Sequence, residues 1–333
     1  MTVKQVITTL DYHTAGEPLR IIRTGLPSIP GSTMLEKRRY MQSNHDDIRR
    51  LLMLEPRGHA DMYGVVITDP VEPGSDCGVL FLHNEGYSTM CGHGIIAVVT
   101  AAVEHQLFKI TDTRSIKIDS PAGLIQASAI LSGDKVESVS FLNVPSFVLK
   151  SNLTVPFGQS QISATVAYGG AFYAYINAED VGLELMPGNS AELVRLGQEL
   201  KASVSTLIDV THPEGGEDLN FLYGVIFVQE GNEQSPSRNV CIFADGELDR
   251  SPTGTGVSGR AAILYASGDI GLNQVLTIDS ILGTSFTVEC VEEVTVGDIP
   301  AVLTRVRGSA WMTGEHRFVL EENDPLAAGF LIR

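Results

Sequence analysis

The sequence has few cysteines, and their spacing excludes two common kinds of site. The chain of 333 residues contains Cys77, Cys91, Cys241 and Cys290, which lie far apart and form no CxxC pair. The ligand spacing of zinc and iron–sulfur sites is therefore absent. Four scattered thiols in a chain of this length favour a reducing compartment over a disulfide framework.

Basic residues are also scarce, since 23 stand against 40 acidic ones and give a net charge of −17. A field of this sign repels nucleic acid and anionic membranes, so we expect neither as a partner unless a local basic patch exists. The densest basic cluster joins residues 37–39 to Arg49 and Arg50 in a helix-like stretch with acidic neighbours. We interpret this cluster as a solvated helix face.

Long apolar runs are missing as well. The longest, Gly94 to Val103, is too short to span a bilayer and is followed by Glu104. Residues 1–5 open no apolar targeting segment. The composition, 43% apolar and 19% charged, is that of a globular protein, and the length predicts about two domains. We expect a soluble cytoplasmic protein.

What the chain does contain is a succession of short strands separated by Gly, Pro, Asn and Asp. Amphipathic helices are predicted over Thr33–Leu54, with a break near Asn44, and over Ala191–Ser203, with Asn189 and Ser190 as caps. The predicted strands are Val3–Tyr12, Met62–Thr68, Gly78–His83, Ser115–Ile118, Leu124–Leu131, Val136–Asn143, Ser163–Tyr168, Ala171–Ile176, Phe221–Val228, Ser237–Ala244, Val275–Asp279, Ser285–Val291 and Ala301–Val306.

Two further predicted helices, Gly92–His105 and Gly254–Ser267, differ from the amphipathic ones. Both are small and apolar on nearly every side, which is typical of a buried helix. Each follows a predicted strand and a short turn, so the two segments share their context as well as their composition.

These two helices reveal an internal repeat. When Cys91 is placed over Thr253, the sequence C-G-H-G-I overlies T-G-T-G-V, and Phe81 overlies Phe243 without a gap. The repeat predicts two similar halves, each a curled sheet around a central helix.

The start of such a helix is suited to bind a small anion. Its first N–H groups lack intrahelical partners and carry partial positive charge, and glycines allow a ligand to approach the backbone. Two such starts facing each other would bind a carboxylate well. The alternative is that each G-x-G only makes a tight turn. A phosphate loop and a dinucleotide fingerprint fit poorly, because neither motif continues as G-K-[ST] and the surroundings are not alternating βαβ.

Cys91 and His93 are candidate reactive groups at the first helix start. The helix end lowers the pKa of a thiol placed there, and the thiolate can act as a nucleophile or a base. His93 could complete a Cys/His pair. The alternatives are simple packing for Cys91 and a cap or core hydrogen bond for His93. At the second start, Asp249 is either a solvated turn residue or, in a pocket, a partner for a substrate ammonium.

Taken together, these motifs resemble the proline racemase family almost from end to end. The segments that carry the resemblance are Asp11–Arg20 (DYHTAGEPLR), Gly58–Gly64 (GHADMYG), Met90–Gly94 (MCGHG), Asp249–Gly256 (DRSPTGTG) and Thr313–His316 (TGEH). The resemblance implies an α/β fold shared with diaminopimelate epimerase: two pseudo-symmetric halves, each a sheet wrapped around a helix, with the ligand in the cleft between them. It implies domains of 1–121 plus 311–333 and of 122–310, catalysis without cofactor or metal, and commonly a homodimer.

The family's catalytic positions correspond to Cys91 and Thr253. Racemases of the family have cysteines at both positions, one to remove the Cα proton and one to deliver a proton to the opposite face. A threonine hydroxyl is a poor acid or base for that step. A Cys followed by a Thr instead resembles the trans-3-hydroxy-L-proline dehydratase branch, whose reaction yields 1-pyrroline-2-carboxylate and water.

The resemblance also implies roles for substrate-binding residues. Asp249 and the His93 side chain would bind the ring amine, and Tyr63 and Phe243 would form apolar walls. The backbone N–H groups that would hold the carboxylate belong to Gly92, His93, Gly254 and Thr255. Alternatives remain a proline racemase or 4-hydroxyproline 2-epimerase, a non-catalytic protein that binds proline-like amino acids, and a thiol hydrolase using Cys91 and His93.

Overall fold

The fold, described by a computed structural model over residues 3–231 and 237–332, is a mixture of many strands and few helices. The α-helices are α1 (Met34–Asn44), α2 (Asp46–Met53), α3 (Gly92–His105), α4 (Ser190–Leu207) and α5 (Gly254–Ser267). The strands are β1 (Val3–Thr14), β2 (Glu17–Thr24), β3 (Gly64–Thr68), β4 (Cys77–Leu82), β5 (Tyr87–Ser88), β6 (Ile116–Ser120), β7 (Gly123–Ser132), β8 (Lys135–Leu142), β9 (Ser146–Phe157), β10 (Ser160–Tyr168), β11 (Phe172–Asn177), β12 (Leu222–Gln229), β13 (Ser237–Phe243), β14 (Glu247–Leu248), β15 (Leu276–Asp279), β16 (Ser285–Val296), β17 (Ile299–Gly308) and β18 (Ala310–Glu321).

The chain divides into two compact units. The first comprises 1–139 and 309–333, and the second comprises 140–308. The predicted domains are 1–121 with 311–333 and 122–310. They place β7 in the second domain instead of the first, and this division stays a prediction. The C-terminal strand β18 belongs to the first unit because it pairs with β1 along its length, from Val3 opposite Glu321 to Thr14 opposite Ala310.

The sheet of the first unit runs in the order β18, β1, β2, β3, β4, β6, β7. The pairs β1–β2, β3–β4 and β6–β7 are antiparallel, whereas β2–β3 and β4–β6 are parallel. A parallel pair needs a long crossover, usually helical. Helices α1 and α2 make the crossover between β2 and β3, and α3 makes the one between β4 and β6.

The second unit repeats this order with β10 to β16. Its parallel pairs are β11–β12 and β13–β15, with α4 and α5 in the crossovers. The two-residue strands β5 and β14 hold equivalent places, since each pairs with the strand before it. Because β17 pairs with both β16 and β9, and β9 with β10, the strands of this unit close into a ring.

The helices α3 and α5 are the cores of their units, as the repeat predicts. Every residue from Gly92 to Ala102 in α3 and from Gly254 to Ala262 in α5 is buried. Small side chains allow this packing: a Cβ on Gly259 would lie 2.2 Å from the Tyr175 hydroxyl. Outside this layer, apolar side chains of α1 and α2 pack on the sheet of the first unit.

The predicted helices agree with the structure in their positions. Gly92–His105 and Gly254–Ser267 are confirmed in both limits, and the break near Asn44 is confirmed at His45, between α1 and α2. The helix predicted over Ala191–Ser203 extends further at both ends. Asn189 is the N-cap residue of that helix, as predicted, but its side chain makes no capping hydrogen bond; its Nδ2 donates to the Glu184 carbonyl instead, and Ser190 is already helical.

Several strands were not predicted: β2, β5, β9, β14 and β18. The interpretation of the basic cluster as a solvated face is wrong for Lys37 and Arg49, which are buried, whereas Arg39 and Arg50 are exposed. Lys37 Nζ donates to the Asp69 carbonyl, and Arg49 pairs with Asp46 and donates to the His83 carbonyl. Lys37 and Arg49 therefore use their charges in hydrogen bonds to backbone carbonyls and, for Arg49, in an ion pair with a carboxylate.

Among the described residues, no helix has the length and apolar character needed to cross a membrane.

Candidate functional site

Cys91 is the N-cap residue of α3. Its backbone is extended (φ −145°, ψ 106°), and its sulfur accepts a hydrogen bond from the Gly94 amide over 3.2 Å. Cys91 therefore occupies a position usually held by Ser, Thr, Asp or Asn. Partial positive charge and a donated N–H both favour the thiolate form of a cysteine at a helix start.

Space around the Cys91 sulfur is limited by the next turn of the helix. A Cβ at position 94 would lie 2.9 Å from that sulfur and 2.8 Å from a ring carbon of Phe81. Glycine at this position is thus a packing requirement. Phe81 lies on β4, whose residues are all buried, so the aromatic ring beside Gly94 has little room to move.

His93 contacts the same sulfur. Its Nδ1 lies 3.3 Å from Cys91 Sγ, and both residues are only 4% exposed. The Thr14 hydroxyl donates to the His93 carbonyl over 3.0 Å, which ties the first turn of α3 to the end of β1. The predicted Cys/His proximity is therefore present within the first unit.

Tyr63 packs edge-on to the His93 ring, with centroids 4.9 Å apart. Its other contacts are a stack on His83, at 5.7 Å, and a hydrogen bond between its hydroxyl and the Ser88 hydroxyl. The ring edge limits the positions open to the imidazole. Tyr63 is buried, as expected for an apolar wall, and it also fixes His93.

Thr253 precedes α5 as Cys91 precedes α3, but its side chain makes a different contact. Its hydroxyl donates to Asp249 Oδ2 over 2.8 Å and makes no cap to the helix amides. Its backbone has φ +65° and ψ 103°, a region that β-branched residues rarely adopt. The two helix starts are therefore similar in sequence and different in hydrogen bonding.

The other predicted residues of the second unit are Gly254, Thr255 and Phe243. Thr255, in the first turn of α5, shares a hydrogen bond of 2.8 Å with the Tyr173 hydroxyl. Burial raises the pKa of Tyr173 well above its usual value, so this phenol stays neutral. Phe243 ends β13, is buried, and packs 5.3 Å from the Tyr223 ring.

The other three cysteines, Cys77, Cys241 and Cys290, are buried in strands of the core. Burial raises the pKa of the Cys77 thiol well above its ordinary range and that of Cys290 to about 11. Neither thiol is suited to act as a base at neutral pH.

Predicted residues thus form two clusters, one in each unit. Cys91, Gly92, His93 and Tyr63 come together around the start of α3, and Asp249, Thr253, Gly254 and Thr255 around the start of α5, whereas Phe243 lies at the end of β13 beside Tyr223. Sequence reasoning missed four supporting residues, each of which makes a hydrogen bond to a predicted site residue: Thr14, Ser88, Ser251 and Tyr173. Thr14 and Ser251 lie inside quoted motifs, whereas nothing local marked Ser88 or Tyr173.

Comparison with known proteins places this chain among enzymes of proline-like substrates. The model of the family named proline racemase matches residues 9–331. A trans-3-hydroxy-L-proline dehydratase of Colwellia psychrerythraea is 47% identical over 330 residues, covering 98% of this chain and 93% of the relative. A protein of Burkholderia multivorans named 3-hydroxyproline 2-epimerase is 43% identical over 339 residues, covering 100% of both chains.

A solved structure has the same fold. The crystal structure of a hydroxyproline epimerase from Agrobacterium vitis, with trans-4-hydroxy-L-proline bound, superimposes with a TM-score of 0.92 at 29% identity, covering 100% of this chain and 97% of that one. The predicted fold class, two similar α/β halves each built around a helix, is thereby confirmed.

Proposed function

The chain belongs to the proline racemase family, and we propose that it is a hydro-lyase that converts trans-3-hydroxy-L-proline to 1-pyrroline-2-carboxylate and water. Support comes from relatives that bear this activity in their names at 43–47% identity across the chain. The observation that carries the proposal is the difference between the two helix starts. One offers a thiol, Cys91, and the other an alcohol, Thr253, whose proton is donated to Asp249.

Ring stereochemistry explains why one thiol is enough. In trans-3-hydroxyproline the hydroxyl lies opposite the carboxylate, and so does the Cα hydrogen. Proton and hydroxyl therefore leave from the same face, in a syn elimination. In the proposed mechanism the Cys91 thiolate removes the Cα proton, and the resulting thiol gives that proton to the departing hydroxyl. The products are water and an enamine, which tautomerises to 1-pyrroline-2-carboxylate.

The other residues would bind and polarise the substrate. Backbone N–H groups of Gly92, His93, Gly254 and Thr255 are proposed to hold the carboxylate, onto which negative charge moves as Cα loses its proton. Asp249 and His93 are proposed to bind the ring nitrogen. Burial of Tyr63 and Phe243 supports their role as walls of a dry site, where charge contacts are stronger than in water.

A panel of proline and hydroxyproline stereoisomers tests the proposal. Only trans-3-hydroxy-L-proline should yield the cyclic imine, detected by its reaction with an aldehyde reagent. Cys91→Ser should lower turnover by about 10²–10⁴-fold, the usual contribution of a general base. Cys290→Ser, a buried thiol of the second unit, serves as the control and should retain turnover. Imine formation by Cys91→Ser at the wild-type rate would refute the role of Cys91.

The second candidate is an epimerase, which the name of the Burkholderia multivorans relative supports. It would require Thr253 or water to protonate the opposite face. Reaction in deuterated water separates the two activities. Deuterium at Cα with inversion indicates epimerisation, whereas loss of water with an imine product indicates dehydration.

We propose further that the enzyme acts as a homodimer in the cytoplasm, without a metal or an organic cofactor. Absence of disulfides among its four cysteines is compatible with a reducing compartment. Light scattering during size-exclusion chromatography should give twice the chain mass of 35.8 kDa. Dialysis against a chelator should leave turnover unchanged, and loss of activity restored by one metal would contradict this part of the proposal.

A further inference from the structure

A five-residue turn before α5, Asp249 to Thr253, fixes one carboxylate by two internal donors. The Ser251 amide donates to Asp249 Oδ1 over 2.7 Å, and the Thr253 hydroxyl donates to Oδ2 over 2.8 Å. Ser251 completes the turn, because its hydroxyl accepts from the Thr253 amide over 3.1 Å. Asp249 is 4% exposed and Ser251 fully buried. Each carboxylate oxygen thus has a partner within the turn.

The turn is anchored to the sheet on both sides. The Asp249 amide donates to the Cys241 carbonyl over 3.0 Å, and the Pro252 carbonyl accepts from Asn239 Nδ2 over 3.4 Å. Asn239 is in turn held by the buried Arg260, whose Nη1 donates to Oδ1 over 2.8 Å. The carboxylate therefore has a rigid support that reaches into β13 and α5.

Thr253 adopts an unfavourable backbone conformation to make its contact. A β-branched residue at φ +65° is strained. Such strain persists where surrounding contacts determine the geometry, and it is common at ligand sites. Here the strained backbone directs the hydroxyl to Asp249, away from the amides of α5 that an N-cap threonine would ordinarily bind.

We propose that Ser251 and Thr253 are positioning residues that orient the Asp249 carboxylate to receive the ring ammonium of the substrate; this rests on the proposed function. An ionised carboxylate can accept about four hydrogen bonds. Two are taken inside the turn, and the remaining lone pairs serve the two N–H groups of a secondary ammonium. The Thr253 hydroxyl has its single proton committed to Asp249, so it orients a charge and transfers no proton to Cα.

This role makes a prediction about ligand charge. Hydrogen bonds to charged groups contribute about 1.5–3 kcal/mol, or roughly tenfold or more in affinity. Loss of the Thr253 hydroxyl should therefore weaken ligands with a ring ammonium and spare ligands with a neutral ring nitrogen. L-Proline and pyrrole-2-carboxylate form such a pair, because they share the ring carboxylate and differ in the charge on nitrogen.

Isothermal titration of both probes into Thr253→Val and Thr253→Ser tests the inference. Valine keeps the branched shape and removes the hydroxyl, while serine keeps the hydroxyl. We expect Thr253→Val to raise the Kd of L-proline about tenfold and to leave that of pyrrole-2-carboxylate within about twofold, and Thr253→Ser to restore L-proline binding. With trans-3-hydroxy-L-proline, KM should rise while kcat changes little, as for binding lost equally from ground and transition states.

Ser251→Ala provides a second variant if Thr253→Val does not fold. It keeps the amide donor to Asp249 and removes the contact that fixes Thr253, so it should shift the same ratio in the same direction. Ser258→Ala is the matched control: Ser258 is equally buried, and its hydroxyl bonds within α5 to the Gly254 carbonyl. It should leave the ratio unchanged.

Three outcomes would overturn the inference: equal weakening of both probes in Thr253→Val, no weakening of L-proline in either variant, or wild-type protein that binds neither probe. The test also separates this inference from the proposed function. A protein that discriminates the probes as described but forms no imine would refute the dehydratase and leave the positioning role standing. A protein that forms imine while Thr253→Val binds both probes normally would do the reverse.

Discussion

The Gly94 amide donates to the Cys91 sulfur over 3.2 Å, so this thiol, and no hydroxyl or carboxylate, caps the helix that carries it. The equivalent residue of the second unit, Thr253, caps nothing and bonds Asp249. The two equivalent helix starts thus make different hydrogen bonds. The first presents sulfur in a positive field, and the second supports a carboxylate.

Substitution of Gly94 by alanine should impair catalysis more than binding. The added Cβ would lie 2.9 Å from Cys91 Sγ and 2.8 Å from the Phe81 ring, so the sulfur, the ring or the first turn of the helix must shift, and each shift changes the surroundings of the sulfur. Misplacement by about 1 Å can cost roughly 10²-fold in rate. We expect kcat for imine formation to fall by about that factor, measured by steady-state kinetics.

Gly86→Ala is the control for this variant, because a Cβ at that position meets nothing within 4 Å. Its kinetics should equal those of the wild type. Normal kcat in Gly94→Ala would show that the sulfur position is not critical.

Alkylation by iodoacetamide should modify Cys91 alone in the native protein at pH 8. Burial raises the pKa of Cys290 to about 11 and that of Cys77 further, so neither is appreciably ionised at this pH. Cys241 is fully buried in β13 and out of reach of the reagent. Cys91 lies at a positive helix start. Mass spectrometry of the intact protein and its peptides should show one adduct, lost in Cys91→Ser and suppressed by pyrrole-2-carboxylate. An adduct on Cys77 before Cys91 would contradict this assignment.

Stability should fall below neutral pH through His212. Its ring lies among Phe147, Tyr168 and Phe172, with centroids 4.7–6.3 Å away, and burial lowers its pKa below the ordinary value, with Glu214 opposing. The unfolded chain therefore binds the proton more tightly. The contribution of the neutral His212 ring to the free energy of unfolding is complete above about pH 6.5. It is lost as the pH falls towards the pKa of His212 in the folded protein.

Urea unfolding between pH 8 and 5.5 checks this expectation in the wild type and in His212→Phe. The phenylalanine keeps an aromatic ring in the cluster and cannot titrate, so its free energy of unfolding should decline less over this range. A His212 ring resonance that titrates at or above the ordinary value would refute the explanation.

The two buried helices should respond oppositely to substitution of the C-cap residue that follows each of them. Both end in a left-handed residue, Gln106 at φ 54° in α3 and Gly268 at φ 82° in α5. Glycine adopts this conformation without strain. Gln106→Gly should therefore stabilise the protein by about 0.5–1 kcal/mol, and Gly268→Ala should destabilise it by about 1 kcal/mol. Urea midpoints that shift in the same direction for both variants would contradict the argument.

Local patterns were sufficient for α3 and α5. Their glycine starts, apolar faces and polar ends are all contiguous in sequence, and both limits were predicted correctly. The strand β18 was missed for the converse reason. Most residues of β18 are at least partly exposed and follow no alternation, and its hydrogen-bonding partner β1 lies at the other end of the chain. No local window contains the information that makes these residues a strand.

The same distinction between local sequence and tertiary contacts applies to the candidate site. The sequence by itself determined the reactive groups: a sulfur before one buried helix, a hydroxyl before the other, and a nearby carboxylate. It also determined the context that the two helix starts share, a strand and a short turn before a glycine-rich helix, because these residues are contiguous. Tertiary structure alone decided which group each one contacts. The Thr253 hydroxyl meets Asp249 because packing around Asn239 and Arg260 holds the turn in a backbone conformation that a threonine avoids in isolation. Hydrogen-bond direction depends on such torsions, and torsions of a strained turn are set by neighbours distant in sequence.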